Sequence, residues 1–166
     1  MTPHPHDAGT ARRDRWAAMV VLLVASFMNM IDVTIVNVAT PRLQASFHAT
    51  SSQIEWVVAV YILVFALGLL PFGRLGDIYG RRRIFLIGIL VFTAGSLLCG
   101  LAPSMGTLIA ARVVQGLGGA MMIPQTLAIA QVLFPPHERG AAFSLFGLVA
   151  GLASVTGPVA GGLLID

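Results

Sequence analysis

Two ionisable side chains stand where apolar sequence should exclude them. Asp32 interrupts an otherwise uncharged stretch from residue 16 to residue 41, and Arg112 interrupts another from 84 to 136. A carboxylate at mid-membrane costs several kcal/mol unless it is paired, hydrated or protonated. That cost makes Asp32 a candidate for binding and releasing a proton, or for meeting a cationic solute. Asn29, Thr34 and Asn37 make its surroundings the most polar part of the run, and Asn29, three residues earlier, shares its helical face. Gln115 stands in the same relation to Arg112. The alternatives are an Asp32 near enough to the membrane edge to stay hydrated, and an Arg112 that snorkels to the headgroups. A neighbouring arginine favours the ionised acid and burial favours the neutral one. No metal-ligand spacing, nucleophile elbow or phosphate-cradling loop is present, so neither enzyme chemistry nor a metal is expected. His4 and His6 fall in a polar tail, where disorder competes with weak metal binding.

The elements that must carry these residues follow from composition. Hydrophobic residues make up 57% of the 166-residue chain and charged residues only 10%. Soluble domains are about a quarter charged, and a soluble fold could not hide this much apolar surface. A span needs about 20 apolar residues, and lipid leaves the backbone no partners outside its own helix. Spans are therefore expected near 17–39, 54–73, 84–102, 107–132 and 141–164, after a polar tail at 1–15. Pro41 is expected to close the first span, and Ser52 with Glu55 to cap the second. Trp56 is a candidate interface anchor. Pro103, and Pro135 with Pro136, separate the later spans. The single Cys99 cannot form an internal disulfide.

The net charge of +3 comes from arginines gathered between apolar runs. They read as topology signals, not as a nucleic-acid surface. The tail (Arg12, Arg13, Arg15), the 74–83 segment (Arg74, Arg81, Arg82, Arg83) and Arg139 fall on one side, against Arg42 on the other. The positive-inside rule then places the N-terminus in the cytoplasm. An odd number of spans, with Asp166 directly after an apolar run, predicts an N-terminal fragment.

Small residues mark close packing. Gly116, Gly118, Gly119 and Ala120 cluster in the fourth span; Gly147 with Gly151, and Gly157 with Gly161 and Gly162, repeat the device in the fifth. Such spacing lets helix backbones approach in lipid, either as static packing or as a pliable seam. Pro158, and Pro124 beside Met121 and Met122, should add bends.

The segment Gly73-Arg74-Leu75-Gly76-Asp77-Ile78-Tyr79-Gly80-Arg81-Arg82-Arg83 resembles the signature between helices two and three of the major facilitator superfamily. It departs from that pattern at Ile78, where a basic residue is usual. Residues 32–41 resemble the first-helix motif of the fourteen-helix drug:proton antiporters, with Thr40 where leucine is usual. Residues 108–120 resemble the fourth-helix motif linked to proton coupling, and Gly157-Pro158-Val159-Ala160-Gly161-Gly162 resembles the fifth-helix antiporter motif.

The resemblance implies an all-α polytopic membrane protein: five helices of a major-facilitator N-terminal half, lacking the sixth helix and the second half. Such carriers pair two halves of inverted three-helix repeats around a central site. Asp32, Asn37, Arg112 and Gln115 would then form the proton and substrate pathway. Gly73, Asp77, Gly80 and Arg81 would form a gating loop, and Gly157, Pro158, Gly161 and Gly162 the antiporter helix motif. The expected function is proton-coupled multidrug efflux across the cell membrane. It would run on the proton gradient with no cofactor, and would act on a small amphipathic or cationic substrate. Partners would be the lipid bilayer and the missing C-terminal half. Other cargoes (a metabolite, siderophore or lipid precursor) and a non-transporting membrane adaptor are the competing readings.

Overall fold

Backbone amides that lipid cannot satisfy fold this chain into helices throughout. The structure, a computed structural model, describes the backbone of residues 5–165 and the surroundings of side chains in 13–36 and 38–156. Five helices follow in order: α1 Pro5–Phe47, α2 Ser51–Tyr79, α3 Arg81–Gly100, α4 Met105–Leu133 and α5 Arg139–Ile165. Each contains a stretch long and apolar enough to cross a membrane. Large apolar side chains point outward, among them Leu70, Leu90 and Val132. That is the arrangement lipid rewards and water penalises.

Several boundaries differ from those the sequence suggests. Residues from Pro5 onward, expected as an unstructured polar tail, continue α1 as helix. At about 1.5 Å per residue, α1's 43 residues reach well beyond the bilayer. Pro41 does not close it. A proline removes one backbone hydrogen bond and can kink a helix without ending it. Beyond it, Leu43 and Phe47 pack against Ile54, Val57, Met105 and Leu108, so burial holds the last turns. α1 stops next to His48, which takes a positive φ of 48°. The cap of α2 is Thr50, not Ser52: its Oγ1 accepts from the Gln53 amide while its own amide donates to Gln53 Oε1. Ser104 and Thr107 make the same reciprocal cap on α4. Pro103 lies in the α3–α4 connection and Pro135 in the α4–α5 connection, as expected.

α4 is the central helix, with α3 on one side and α2 on the other. Its small residues allow this. A Cβ on Gly118 would overlap the Phe92 backbone of α3, and one on Gly116 would come within 2.9 Å of the Tyr61 carbonyl of α2. The partner helices reciprocate: a Cβ on Gly95 would meet the Gln115 amide nitrogen at 2.7 Å, and one on Gly68 the Ala120 Cβ at 2.6 Å. α5 packs mainly on α1. Trp16 meets Phe134 edge-on at 5.3 Å and Arg15 approaches Glu138, so residues 15–16 of α1 lie beside the end of α4. Gly147 and Gly151 do not repeat the α4 device: a Cβ at either meets no described atom within 4 Å. Their face of α5 has no neighbour among the described residues. Gly157, Pro158, Gly161 and Gly162 lie within α5, but their surroundings fall outside the described residues.

Gly118→Ala should therefore lower unfolding stability in mixed micelles by about 1–3 kcal/mol through overpacking. Gly147→Ala should be neutral or stabilise by up to about 1 kcal/mol, as alanine does in an open helical position. Equal losses from the two substitutions would contradict this packing.

Candidate functional site

Asp32 comes from the middle of α1, Arg112 and Gln115 from the second and third turns of α4, and the structure brings them together. Arg112 Nη1 donates to Asp32 Oδ2 at 2.6 Å and to Gln115 Oε1 at 2.8 Å. Gln115 Nε2 donates to Asp32 Oδ1 at 2.6 Å, so each carboxylate oxygen has its own donor. The two charges that interrupt separate apolar runs are thus in direct contact. Arg112 is not snorkelling: its side chain is 3% exposed, and that of Asp32 is 13% exposed.

The guanidinium has further contacts within the bundle. Arg112 Nε donates to the Val57 carbonyl of α2 at 3.2 Å. Its carbon lies 4.2 Å from the centroid of the Tyr61 ring, a cation–π distance. Tyr61 Oη accepts from Asn29 Nδ2 at 2.9 Å. Gly119 makes that contact possible, since a Cβ there would meet Asn29 Nδ2 at 2.7 Å. On the α3 side, Cys99 Sγ donates to Gln115 Oε1 at 3.4 Å. Among the described residues, no buried side-chain nitrogen or oxygen lacks a hydrogen-bond partner. Opposite charges in contact away from water attract strongly, against a desolvation cost for each. Full hydrogen bonding is what makes such a buried pair tolerable.

The carboxylate is also reachable. Asp32 lines an open groove whose other walls are Phe27, Met28, Ile31, Ile35, Phe92 and Ser96. One acid in an apolar, partly aromatic wall suits a proton or an apolar cation. Thr34 takes no part; its hydroxyl donates to the Ile31 carbonyl of its own helix. Asn37 falls outside the described side chains.

The α2–α3 junction is a second polar site. Arg81 Nε and Nη2 both donate to Asp77 Oδ1, at 3.0 and 2.9 Å. Arg81 Nη1 reaches the Ala128 carbonyl of α4 at 3.2 Å. Gly80 alone connects the two helices, with φ of +98°, a conformation that side chains resist. Gly73 is less constrained, its nearest atom being Pro124 Cβ at 3.8 Å from an added Cβ. The pair itself is exposed, and such surface pairs contribute about 0–1 kcal/mol.

Sequence reasoning missed Tyr61 and Gln125; it placed Gly119 in a close-packing cluster and Gly76 in the loop signature, without the partner each one meets. Tyr61 had a usable signal, being a phenol inside an uncharged span. The glycines and Gln125 acquire meaning only from the facing helix.

Comparisons with known proteins give the chain's family. The chain is 47% identical over 152 residues to the probable actinorhodin transporter of Streptomyces coelicolor, covering 92% of this chain and 26% of that protein. It is 44% identical over 153 residues to the puromycin resistance protein pur8 of Streptomyces alboniger, covering 92% of this chain and 30% of that one. The chain thus spans about a quarter to a third of the length of these relatives. The fold matches the crystal structure of a bacterial homolog to the human lysosomal transporter Spinster, in an inward-facing and unoccupied conformation. That match has a TM-score of 0.82 at 24% identity and covers 90% of this chain and 32% of that one. The family profile described as Major Facilitator Superfamily matches residues 22–166, and the chain belongs to that superfamily.

Proposed function

We propose that this chain is the N-terminal portion of a proton-coupled exporter of small amphipathic or cationic molecules, working as an antiporter in the cell membrane. The observation that carries the reading is the Asp32–Arg112–Gln115 cluster: a reachable carboxylate held against a buried cation. The named roles of two relatives, a probable actinorhodin transporter and a puromycin resistance protein, support a small-molecule cargo.

The chemistry is a proton exchange. While Asp32 is ionised, it binds Arg112 and Gln115 and ties α1 to α4. A proton arriving through the groove neutralises it and removes the charge attraction that draws Arg112 to it. Arg112 keeps its charge, with the Val57 carbonyl, Gln115 Oε1 and the Tyr61 ring still around it. A cationic substrate favours the ionised acid and a proton favours the neutral one, so the two compete for one site. The energy source is the proton gradient, with no cofactor, and the family role is transport, not catalysis.

The remaining parts of the reading follow from the same arrangement. Arg15, Arg74, Arg82 and Arg139 mark the end of the bundle that faces the cytoplasm, with the N-terminus on that side. The Asp77–Arg81 junction at that end serves as a gate against the remainder of the transporter. Gly157, Pro158, Gly161 and Gly162 would line a pliable seam of α5. The lipid bilayer and the rest of the carrier complete the working protein.

In a full-length transporter that begins with this sequence, Asp32→Asn should abolish proton-driven efflux while leaving membrane insertion intact. Counterflow of a labelled drug in proteoliposomes, with and without an imposed pH gradient, checks this. Gradient-driven transport at the parental rate would reject Asp32 as the proton carrier. The 166-residue chain alone should give no proton-coupled flux.

A further inference from the structure

The buried amide of Gln125 takes no part in the proton site. It belongs to α4, is 1% exposed, and projects into α2, where its Nε2 donates to the Phe72 carbonyl at 2.7 Å. Its amide fills a notch left by Gly76, where any Cβ would overlap the Gln125 side chain. One turn further along α4, the Ala128 carbonyl accepts from Arg81. Both ties join α4 to the α2–α3 junction.

The level at which this amide crosses is a weak one. Pro71 interrupts the hydrogen bonding of α2 one residue before Phe72, and Pro124 interrupts that of α4 one residue before Gln125. Gly73 faces Pro124 at this same level. Two helices that each lack a backbone bond lie side by side, and each is free to bend there. A side-chain amide that donates from one to the other opposes separate bending. The other support, the Asp77–Arg81 pair, is exposed and reaches α4 only through the single Arg81–Ala128 bond.

We propose that Gln125 is the positioning residue of the α2–α3 junction: it pins the last turns of α2 to α4 through the Gly76 notch, across the paired proline bends. Its functional consequence rests on reading that junction as a gate. With the pin in place, the Asp77–Arg81 pair keeps a fixed position relative to the helix that carries Arg112 and Gln115. With the pin released, the last turns of α2 move independently of α4.

Amide hydrogen exchange of the 166-residue chain in lipid nanodiscs tests this. Gln125→Met keeps the volume and removes the donor. Exchange at residues 72–80 should rise about tenfold, since a lost buried hydrogen bond lowers the local opening free energy. Residues 54–68 of α2 should be unaffected. Gly76→Ala evicts the amide without changing Gln125 and should give the same local rise. Unchanged exchange at 72–80 in both variants overturns the proposal, as does an equal rise along the whole of α2, which would mark Gln125 as general packing. Exchange reads the pin itself, whereas drug efflux in Asp77→Asn transporters reads the gate, so either reading can fail without the other.

Discussion

A carboxylate and a guanidinium in contact away from water constrain everything around them. Neither Asp32 nor Arg112 is tolerable alone among apolar side chains, and the pair is tolerable only if every remaining polar atom is satisfied. Gln115 takes the second carboxylate oxygen, the Val57 carbonyl takes Arg112 Nε, and Tyr61 covers the guanidinium face. Four helices contribute to or touch this cluster. Their close approach depends on Gly95, Gly116 and Gly119, where side chains would push the groups apart. The glycines and the charges are therefore one design: the first bring backbones near enough for short side chains to span the gap.

α4 organises the bundle because it serves two polar sites at once. Arg112 and Gln115 occupy its second and third turns, and Gln125 with the Ala128 carbonyl lies about 20 Å further along at 1.5 Å per residue. At both levels an α4 side chain donates to an α2 carbonyl, Val57 and Phe72 respectively. α2 and α4 are thus joined at two depths, while α1 meets α4 through the ion pair and the apolar contacts of Met19, Leu22 and Ala25. The bonds between α1 and α4 end on a carboxylate. Those between α2 and α4 end on backbone carbonyls.

Much of this was legible in the sequence because lipid makes the signals strong. Uncharged runs marked the five helices, and the two charges stranded inside them marked the residues of the central pair. Boundaries were less legible. Pro41 reads as a stop, yet packing of Leu43 and Phe47 carries α1 past it. Thr50 with Gln53 and Ser52 with Glu55 share one capping pattern, and only the backbone path decides between them. The spacing of Gly147 and Gly151 resembles that of α4, but nothing described packs on them. Gln125 was invisible for the opposite reason: an amide in an apolar helix acquires a role only from the glycine and carbonyl it faces on another helix.

The central claim is that Asp32 and Arg112 stabilise each other directly. A double-mutant cycle with Asp32→Asn, Arg112→Met and the double variant measures this, read as unfolding free energy in mixed micelles. The account predicts a coupling of about 1–3 kcal/mol, with each single variant less stable than additivity from the double allows. Additive losses would show that the two charges do not form a pair and would contradict the account.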